Sequence, residues 1–572
     1  MSRRHLIWIG WVLVCAWMCL PVDAQLSAKQ QRGIDKLVAE CQAGKNKSCA
    51  KLGKMAKTNK SAAVRKAATE KLTDPVLLAG IALGDPDAGV RQAAVGSLQD
   101  QAMLADVARK SAHGPLRLQA AQKLTDPVLS AELVKSSSDS QVRSVVVSQV
   151  TDQALLVDLA KNDQSSKLRE NAAQALTDPA SLLDVARQGG DLIVRLKAAE
   201  RLNEPALLIE LVRTAKDAAV RVIAVGNLAE PTMLQDIAKN GPDTQTRLTA
   251  AKKISDPGVL LDLVRTSGDS EVRVFAVGAL TDPVVLTDIA RNDPHKDSRI
   301  AAIGKLSDPV VLAEIADHAA DPEVRQAVVW RDPTSGADFV WISAGRFRMG
   351  SPDNESGRNG DEGPLHRVAI SGGFWLSRTE VTQAQWQSLM ENNPSHFQSA
   401  GHDAPVENVS WDDCQAFIQK LNDKLGRHAY RLPTEAEWEC ACRAGTETEF
   451  HFGTDLGSGL ANFNGTTPYG KAARGTNRQK TMPAGSFKPN ALGLYDMHGN
   501  VEEWCQDRFA DTYYQTVGDG PTDPKGPDEG EKRVRRGGSW KNIGKDCRSA
   551  NRDGGLPTEK SNTVGLRLVR EP

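Results

Sequence analysis

The hydrophobic positions in the first half of the chain recur in a frame of 26 residues. In the frame that begins at Asp282, apolar residues Val285, Leu286 and Ile289 fall on one face of a predicted helix. Asp282 is a suitable N-cap, and Pro283 suits the first helical position, where a missing N–H costs nothing. A polar turn and a second apolar segment complete the frame. Each frame therefore predicts two short helices joined by turns.

Two charged positions also recur every 26 residues without interruption. Arginine stands at positions 65, 91, 117, 143, 169, 195, 221, 247, 273, 299 and 325. A carboxylate stands at positions 74, 100, 126, 152, 178, 204, 230, 256, 282 and 308. The arginines have two interpretations: an internal ladder with carboxylates of the turns, or a basic stripe for an acidic partner.

This periodicity is typical of a solenoid of stacked helix pairs. The pattern resembles HEAT-like repeat proteins in a short 26-residue variant, and it predicts an all-α solenoid over residues 60–333. Such an arm indicates a protein partner along its length. The balance of 71 Lys and Arg against 72 Asp and Glu gives no electrostatic reason to expect nucleic acid or an anionic membrane as a partner. A local charged patch is still compatible with this balance, because net charge does not show how the charges are distributed.

The first 24 residues have the pattern of an export signal. Arg3 and Arg4 precede an apolar run from Leu6 to Leu20, and small residues at the predicted cleavage site end at Ala24. The alternative is an N-terminal membrane anchor, for which the run is short. Cleavage would leave a periplasmic or secreted protein with no transmembrane segment.

Residues 25–59 predict a helical lead-in with two cysteines eight residues apart, Cys41 and Cys49. The spacing resembles the disulfide-tied helix pair of exported Sel1-like repeats. A disulfide is the preferred interpretation in an oxidising compartment, and two unpaired thiols are the alternative.

The helical periodicity stops at residues 332–336, and the alternating residues 339–342 predict a strand. A series of collinear motifs follows, at residues 345–351, 380–382, 405–411, 430–439, 490–497, 499–504, 536–540, 547–550 and 565–567. On these motifs, residues 337–570 resemble the formylglycine-generating enzyme family, also called the sulfatase-modifying factor domain. The resemblance implies an α+β domain with a fold related to C-type lectins. The whole chain is then a multidomain protein, an all-α solenoid followed by this α+β domain.

The resemblance also implies a chemistry and its candidate residues. Family enzymes use copper and oxygen to oxidise a substrate cysteine, and they need two cysteines spaced by four residues shortly after Gly-Gly-Ser. Ser539 is present here, the first family cysteine falls on Asn542, and Cys547 has the count of the second. Ser539 and Cys547 are therefore the catalytic candidates if the domain is active, and copper is expected only in that case.

Calcium is a second implication of the family. The calcium ligands of the family map to His498, Gly499, Val501 and Glu503. The start of a second calcium site maps to Asn462 and Phe463. Carbonyl and carboxylate oxygens suit this hard cation. The alternative is a tight loop closed by hydrogen bonds.

The remaining cysteines allow a further disulfide. Cys505 and Cys547 are expected to pair with each other, in preference to a reactive thiol at Cys547. Cys414, Cys440 and Cys442 are left unassigned.

Two functions are compatible with these observations. The first is an exported scaffold or binding protein whose C-terminal domain is not catalytic. The second is a formylglycine-generating oxidase, or a related oxygenase, whose protein substrate is recruited by the repeat arm.

Overall fold

The computed structural model describes residues 26–572, so the predicted export signal lies outside the described residues. The chain divides into two compact units: the first extends to Val259 and includes Ser267–Val272, and the second contains Leu260–Thr266 and Arg273–Pro572. No helix within residues 26–572 is both long enough and apolar enough to cross a membrane.

The first unit consists of short helices that pack as consecutive pairs. They are α1 Ala28–Gln42, α2 Asn46–Thr58, α3 Ala62–Thr69, α4 Pro75–Gly84, α5 Ala88–Ser97, α6 Gln101–Lys110, α7 Gly114–Lys123, α8 Pro127–Ser136, α9 Ser140–Val146, α10 Gln153–Asn162, α11 Ser166–Ala175, α12 Pro179–Gln188, α13 Leu192–Arg201, α14 Pro205–Thr214, α15 Ala218–Asn227, α16 Pro231–Asn240 and α17 Thr244–Ala251. The helical segments α18 Pro257–Thr266 and α19 Ser270–Ala279 contain the unit boundary. Helices α20 Pro283–Asn292, α21 Lys296–Ile303, α22 Pro309–His318 and α23 Pro322–Ala327 belong to the second unit. This region has the predicted architecture of two helices in each repeat.

The periodic carboxylates begin the first helix of each repeat. Aspartate side chains accept hydrogen bonds from first-turn amides at Asp74, Asp100, Asp126, Asp152, Asp178, Asp282 and Asp308. Glu204 and Glu230 stand at the equivalent position, yet their longer side chains make no such bond. The capping chemistry predicted from the sequence is therefore confirmed for the aspartates.

The periodic arginines form an internal ladder, which confirms the first of their two interpretations. Nine of them donate to the backbone carbonyl six residues earlier: Arg65, Arg91, Arg117, Arg169, Arg195, Arg221, Arg247, Arg299 and Arg325. Several also pair with an aspartate that follows the next first helix, as Arg195 does with Asp217 at 2.7 Å. The guanidinium groups thus satisfy carbonyls at helix ends and join adjacent repeats.

A second, exposed series of ion pairs joins neighbouring first helices. Arg187 lies 2.9 Å from Glu210, and Arg291 pairs with Glu314. One repeat after Arg291 the equivalent position is Asp317, which accepts a 2.7 Å hydrogen bond from the Trp341 indole. The charge at this position is therefore reversed in the last repeat.

The solenoid ends earlier than the sequence predicted. Helix α23 stops at Ala327, and residues 329–331 already form strand β1, which pairs antiparallel with β2, Asp338–Ile342. The segment 332–336 closes this hairpin, with Gly336 donating to the carbonyl of Asp332. The predicted boundary at residue 333 is corrected accordingly, since Asp-Pro here marks a turn within a sheet.

The remainder of the second unit is an α+β domain. Its strands are β1 Val329–Arg331, β2 Asp338–Ile342, β3 Gly345–Met349, β4 His366–Ile370, β5 Phe374–Ser377, β6 Tyr430–Arg431, β7 Glu502–Arg508, β8 Arg533–Arg536, β9 Arg552–Gly555, β10 Val564–Leu566 and β11 Val569–Arg570. They form a five-stranded sheet in the order β1-β2-β5-β11-β6, a four-stranded sheet in the order β10-β7-β8-β9, and the hairpin β3-β4. The helices are α24 Gln383–Met390, α25 Trp411–Leu425, α26 Glu435–Arg443 and α27 Tyr513–Val517.

Two hydrophobic clusters fill this domain. The larger contains Leu376, Trp438, Met497 and Cys505, and so joins strands of both larger sheets to α26. The smaller is built from loop residues and contains Phe450, Phe463, Tyr469 and Cys547. The loops that carry the candidate site are therefore packed on a core of their own.

Candidate functional site

The Gly-Gly-Ser motif forms a tight turn directly after β8. Gly537 and Gly538 have φ angles of +93° and +70°, which other residues rarely adopt. The Ser539 hydroxyl and amide both donate to Oδ1 of Asn542, the amide at 3.1 Å, and the Asn542 amide donates back to the Ser539 carbonyl. Asn542 therefore closes the turn with the oxygen of its side chain.

The second catalytic candidate, Cys547, lies in the 3₁₀ turn Gly544–Cys547 and is fully buried. Burial raises the pKa of its thiol far above the ordinary value, so the group is a neutral thiol at pH 7. Its backbone carbonyl accepts a 2.8 Å hydrogen bond from Nδ1 of His498. This cysteine is part of the smaller hydrophobic core.

The expected pairing of Cys505 with Cys547 is wrong. Both are free thiols, and they belong to different hydrophobic clusters. Within residues 26–572, Cys414, Cys440 and Cys442 are also free. Cys41 and Cys49 do form the disulfide preferred from their spacing, with Cα atoms 4.8 Å apart between α1 and α2.

The first candidate calcium set, His498, Gly499, Val501 and Glu503, is brought into one loop and strand. The Glu503 carboxylate accepts a 2.8 Å bond from Arg567 and a 2.7 Å bond from the Trp438 indole. Further bonds from Nε of Arg567 reach both carboxylate oxygens, so little acceptor capacity remains for a cation.

The other members of that set are also committed to the loop. His498 donates to the Cys547 carbonyl, and burial lowers the pKa of its imidazole well below the ordinary value. The Gly499 amide donates to the Gly537 carbonyl, and Val501 is buried. These bonds close a tight loop, and calcium binding through the backbone carbonyls of His498, Gly499 and Val501 stays a prediction.

Asn462, from the second candidate set, has a side-chain oxygen that is free to bind a cation. Its Nδ2 donates to the Lys480 carbonyl at 2.9 Å and to Oδ1 of Asn500 at 3.0 Å, which fixes the orientation of the amide. Its Oδ1 is then a buried oxygen without a hydrogen-bond partner, which suits a hard cation. The Phe463 ring packs in the smaller core, so only its backbone carbonyl could contribute.

Sequence reasoning missed a polar network beside Asn462. Asn500 donates to Oε1 of Glu380 at 3.0 Å, and Oε2 of Glu380 has no partner. Burial, followed by the negative charge of Asp496, raises the pKa of Glu380 well above its ordinary value. Burial also raises the pKa of Asp496 to about 6. Both carboxylates stand inside motifs that we had identified, but their separation along the chain did not indicate a shared environment.

Within residues 26–572, no three His, Cys, Asp or Glu side chains are grouped so that they could hold a metal ion. The geometry near Ser539 therefore offers one hydroxyl, one amide and one buried thiol. These groups can form hydrogen bonds, and they do not form a set of soft ligands.

Residues 325–572 match the family described as sulfatase-modifying factor enzyme 1-like domain. The chaperone protein LppX of Paenibacillus barcinonensis is 31% identical over 248 residues, which cover 36% of this chain and 80% of that protein. The chain therefore belongs to this family through its C-terminal domain.

Other relatives cover a similar share of the chain. The formylglycine-generating enzyme of Streptomyces coelicolor is 36% identical over 213 residues, covering 35% of this chain and 61% of that enzyme. The serine/threonine-protein kinase Pkn1 of Chlamydia trachomatis is 29% identical over 261 residues, covering 41% of this chain. The chain spans 38% of the length of that kinase.

Proposed function

We propose that this protein is an exported scaffold or binding protein whose C-terminal domain does not generate formylglycine. The observation that carries the proposal is the position of Asn542. An amide side chain occupies the place that the family resemblance assigns to the first copper-binding cysteine, and its oxygen is held by Ser539.

The chemistry of Cu(I) supports this proposal. Cu(I) is held by soft sulfur ligands, which bind as thiolates. Asn542 presents a hard, neutral oxygen, and Cys547 is a buried thiol whose raised pKa opposes thiolate formation. A single buried sulfur cannot provide the two ligands that the reaction needs.

The described functions of the relatives support the view that this domain occurs with different chemistries. Proteins described as a chaperone, a protein kinase and a formylglycine-generating enzyme are all similar to this chain. A shared fold can host different functions, so membership of the family does not itself require the oxidase reaction.

The helical repeats support a protein partner. The periodic arginines are engaged within the ladder, which leaves them a structural role. Valines remain exposed at the second position of several first helices, at Val76, Val128, Val284 and Val310. Apolar side chains that recur at one place in the repeat offer a regular series of contacts for another protein.

We also propose that the protein is periplasmic or secreted. The Cys41–Cys49 disulfide indicates an oxidising compartment, and the N-terminal sequence has the pattern of a cleavable export signal. N-terminal sequencing of the protein recovered from the cell envelope and from the medium tests this placement.

The alternative function is a formylglycine-generating oxidase or related oxygenase. Its support is the retained Ser539 and the family membership of the domain. The purified protein is incubated with copper, oxygen and a peptide containing Cys-X-Pro-X-Arg, and the peptide mass is measured. The Streptomyces coelicolor relative serves as the positive control. We expect no mass change; turnover to formylglycine would exclude the non-catalytic proposal.

Calcium is proposed as a structural ion, and the unpartnered Oδ1 of Asn462 supports this proposal. Added calcium should raise the melting temperature of the C-terminal domain, and Asn462→Ala should abolish that increment. Asn392→Ala is the control, because Asn392 lies away from this network and its Oδ1 accepts a hydrogen bond from the Trp386 indole. An equal calcium response in both variants would exclude Asn462 as a ligand.

A further inference from the structure

The N-terminal helix pair carries a strong local charge that the neutral whole chain conceals. Residues 26–73 contain twelve Lys and Arg and three Asp and Glu, a formal charge of +9, whereas the full chain carries −1. Ten of these basic residues are lysines, and all ten are exposed. Opposite charge on a partner would favour association with this surface.

The basic side chains lie in rows. Lys47, Lys51 and Lys54 follow the spacing of one face of α2, and Lys29, Arg32 and Lys36 follow that of one face of α1. Among the described residues, only Arg65 of the twelve forms an ion pair, with Asp85. The remaining basic groups therefore keep their charge available for a partner.

A groove with an apolar floor lies at the end of the α2 row, where Lys54 lines it. Its volume is 440 Å³, and its lining includes Leu52, Leu72 and Leu77 together with Lys54 and Lys57. Leu52 and Leu72 are buried, while both lysines are exposed. An apolar floor below ammonium groups suits a molecule with an aliphatic part and an anionic head.

We propose that residues 26–73 form a docking surface for an anionic phospholipid bilayer. Lysine is a flexible point charge, suited to diffuse anionic charge, whereas arginine would be expected for bidentate contacts to nucleic-acid phosphates. This segment contains no Phe, Trp or Tyr to stack on bases. The segment also follows directly after the apolar run at residues 6–20, so export itself brings it to a membrane surface.

Vesicle co-sedimentation with the full exported chain tests the proposal. Vesicles of phosphatidylcholine mixed with phosphatidylglycerol should bind the protein, and vesicles of phosphatidylcholine alone should not. Raising the ionic strength to about 0.5 M should weaken binding strongly, because the Debye length falls below about 8 Å. Failure to bind the anionic vesicles at low salt would overturn the proposal.

Charge-reversal variants locate the surface. K47E/K51E/K54E should weaken vesicle binding by more than about tenfold, since each lysine near an anionic surface contributes substantially to affinity. The matched control is K471E/K488E/K532E, which reverses three exposed lysines of the C-terminal domain. Equal loss in both variants would show non-specific attraction and overturn the assignment to residues 26–73. Circular dichroism verifies that both variants keep their helices.

Competition experiments distinguish other anionic partners. Sodium phosphate and sodium chloride are compared at equal ionic strength. Phosphate should displace the protein from the anionic vesicles no better than chloride does. A DNA duplex or polyglutamate that binds more tightly than the anionic vesicles would overturn the proposal in favour of a nucleic acid or an acidic protein. Weaker binding of both polymers would support the bilayer.

Discussion

The repeats and the C-terminal domain use arginine in different environments. In the repeats, Arg195 and Asp217 keep 21% and 30% of their side-chain surface exposed. In the C-terminal domain, Arg567 and Glu503 are 0% and 1% exposed. A partly exposed pair such as Arg195–Asp217 contributes modestly to stability, and this contribution recurs along the repeats. Breaking the buried Arg567–Glu503 pair leaves an isolated charge in the core. The same residue type therefore carries very different consequences in the two regions.

The tryptophans allow the two regions to be followed separately. The eight tryptophans outside residues 1–25 all lie between Trp330 and Trp540. Tryptophan fluorescence therefore reports on the C-terminal domain, while far-ultraviolet circular dichroism is dominated by the helices of the repeats.

The largest effect should come from breaking the buried pair. Arg567→Met leaves the Glu503 carboxylate buried without its cation and should destabilise the C-terminal domain by about 3–5 kcal/mol. Urea unfolding followed by tryptophan fluorescence measures the change. Arg195→Met is the matched variant in the repeats and should cost about 1 kcal/mol, followed by circular dichroism. A larger cost for Arg195→Met would contradict the comparison.

The next effect concerns pH. Burial raises the pKa of Asp507 to about 8, and the negative charge of Glu435 acts in the same direction. A carboxyl with a higher pKa in the folded state holds its proton more tightly there, so its contribution to stability falls as pH rises from about 4 to about 8. Asp507→Asn should remove about 3–4 kcal/mol of this loss between pH 5 and pH 8.

Fluorescence-detected unfolding across that pH range compares wild type with the variant. Asp528→Asn, at an exposed position of the same domain, is the control and should leave the pH profile unchanged. An unchanged profile in Asp507→Asn would show that Asp507 is not the group responsible. The repeats should follow a separate profile, because this carboxyl lies in the C-terminal domain.

Removal of the disulfide should have a smaller, local effect. Cys41 and Cys49 close a loop with a sequence separation of 8, so the chain-entropy gain is about 2 kcal/mol. Cys41→Ser/Cys49→Ser should accelerate hydrogen exchange in α1 and α2 without moving the fluorescence transition. Reduction of the wild type should reproduce the effect and leave the double variant unaffected. A shift in the fluorescence transition would contradict a local role.

The smallest effect tests the helix caps. Asp126→Ala removes a cap that accepts from the amides of Val128 and Leu129, and should cost about 1 kcal/mol. Glu204→Ala is the matched control, since Glu204 stands at the same repeat position without a capping bond. Thermal unfolding by circular dichroism should separate the two variants. Equal melting temperatures would show that the caps do not contribute.

The sequence predicted the repeats in more chemical detail than the C-terminal domain. One repeat determines the surroundings of the next, so the period at Asp178 predicted a helix cap, and the period at Arg195 gave the internal ladder as one of two interpretations. The hairpin of β1 was missed because Val329 to Arg331 is short and its partner strand lies beyond a turn that resembled a linker.

In the C-terminal domain the motifs predicted the fold but not the contacts between motifs. Glu503 was expected to bind calcium, yet its partner is Arg567, from a motif 64 positions away. The predicted pairing of Cys505 and Cys547 failed for the same reason, since nothing in their spacing showed that they belong to separate cores. Contacts between residues that are distant in the sequence are determined by the assembled fold.

The hydrogen bond between Asp317 and Trp341 makes the last repeat different from its predecessors. Earlier repeats carry arginine at this position, as at Arg187 and Arg291, and a final repeat with arginine here would present a cation to the indole N–H. A single acidic side chain therefore determines which repeat can stand last. Any rearrangement of the repeats must keep that repeat at the end of the array.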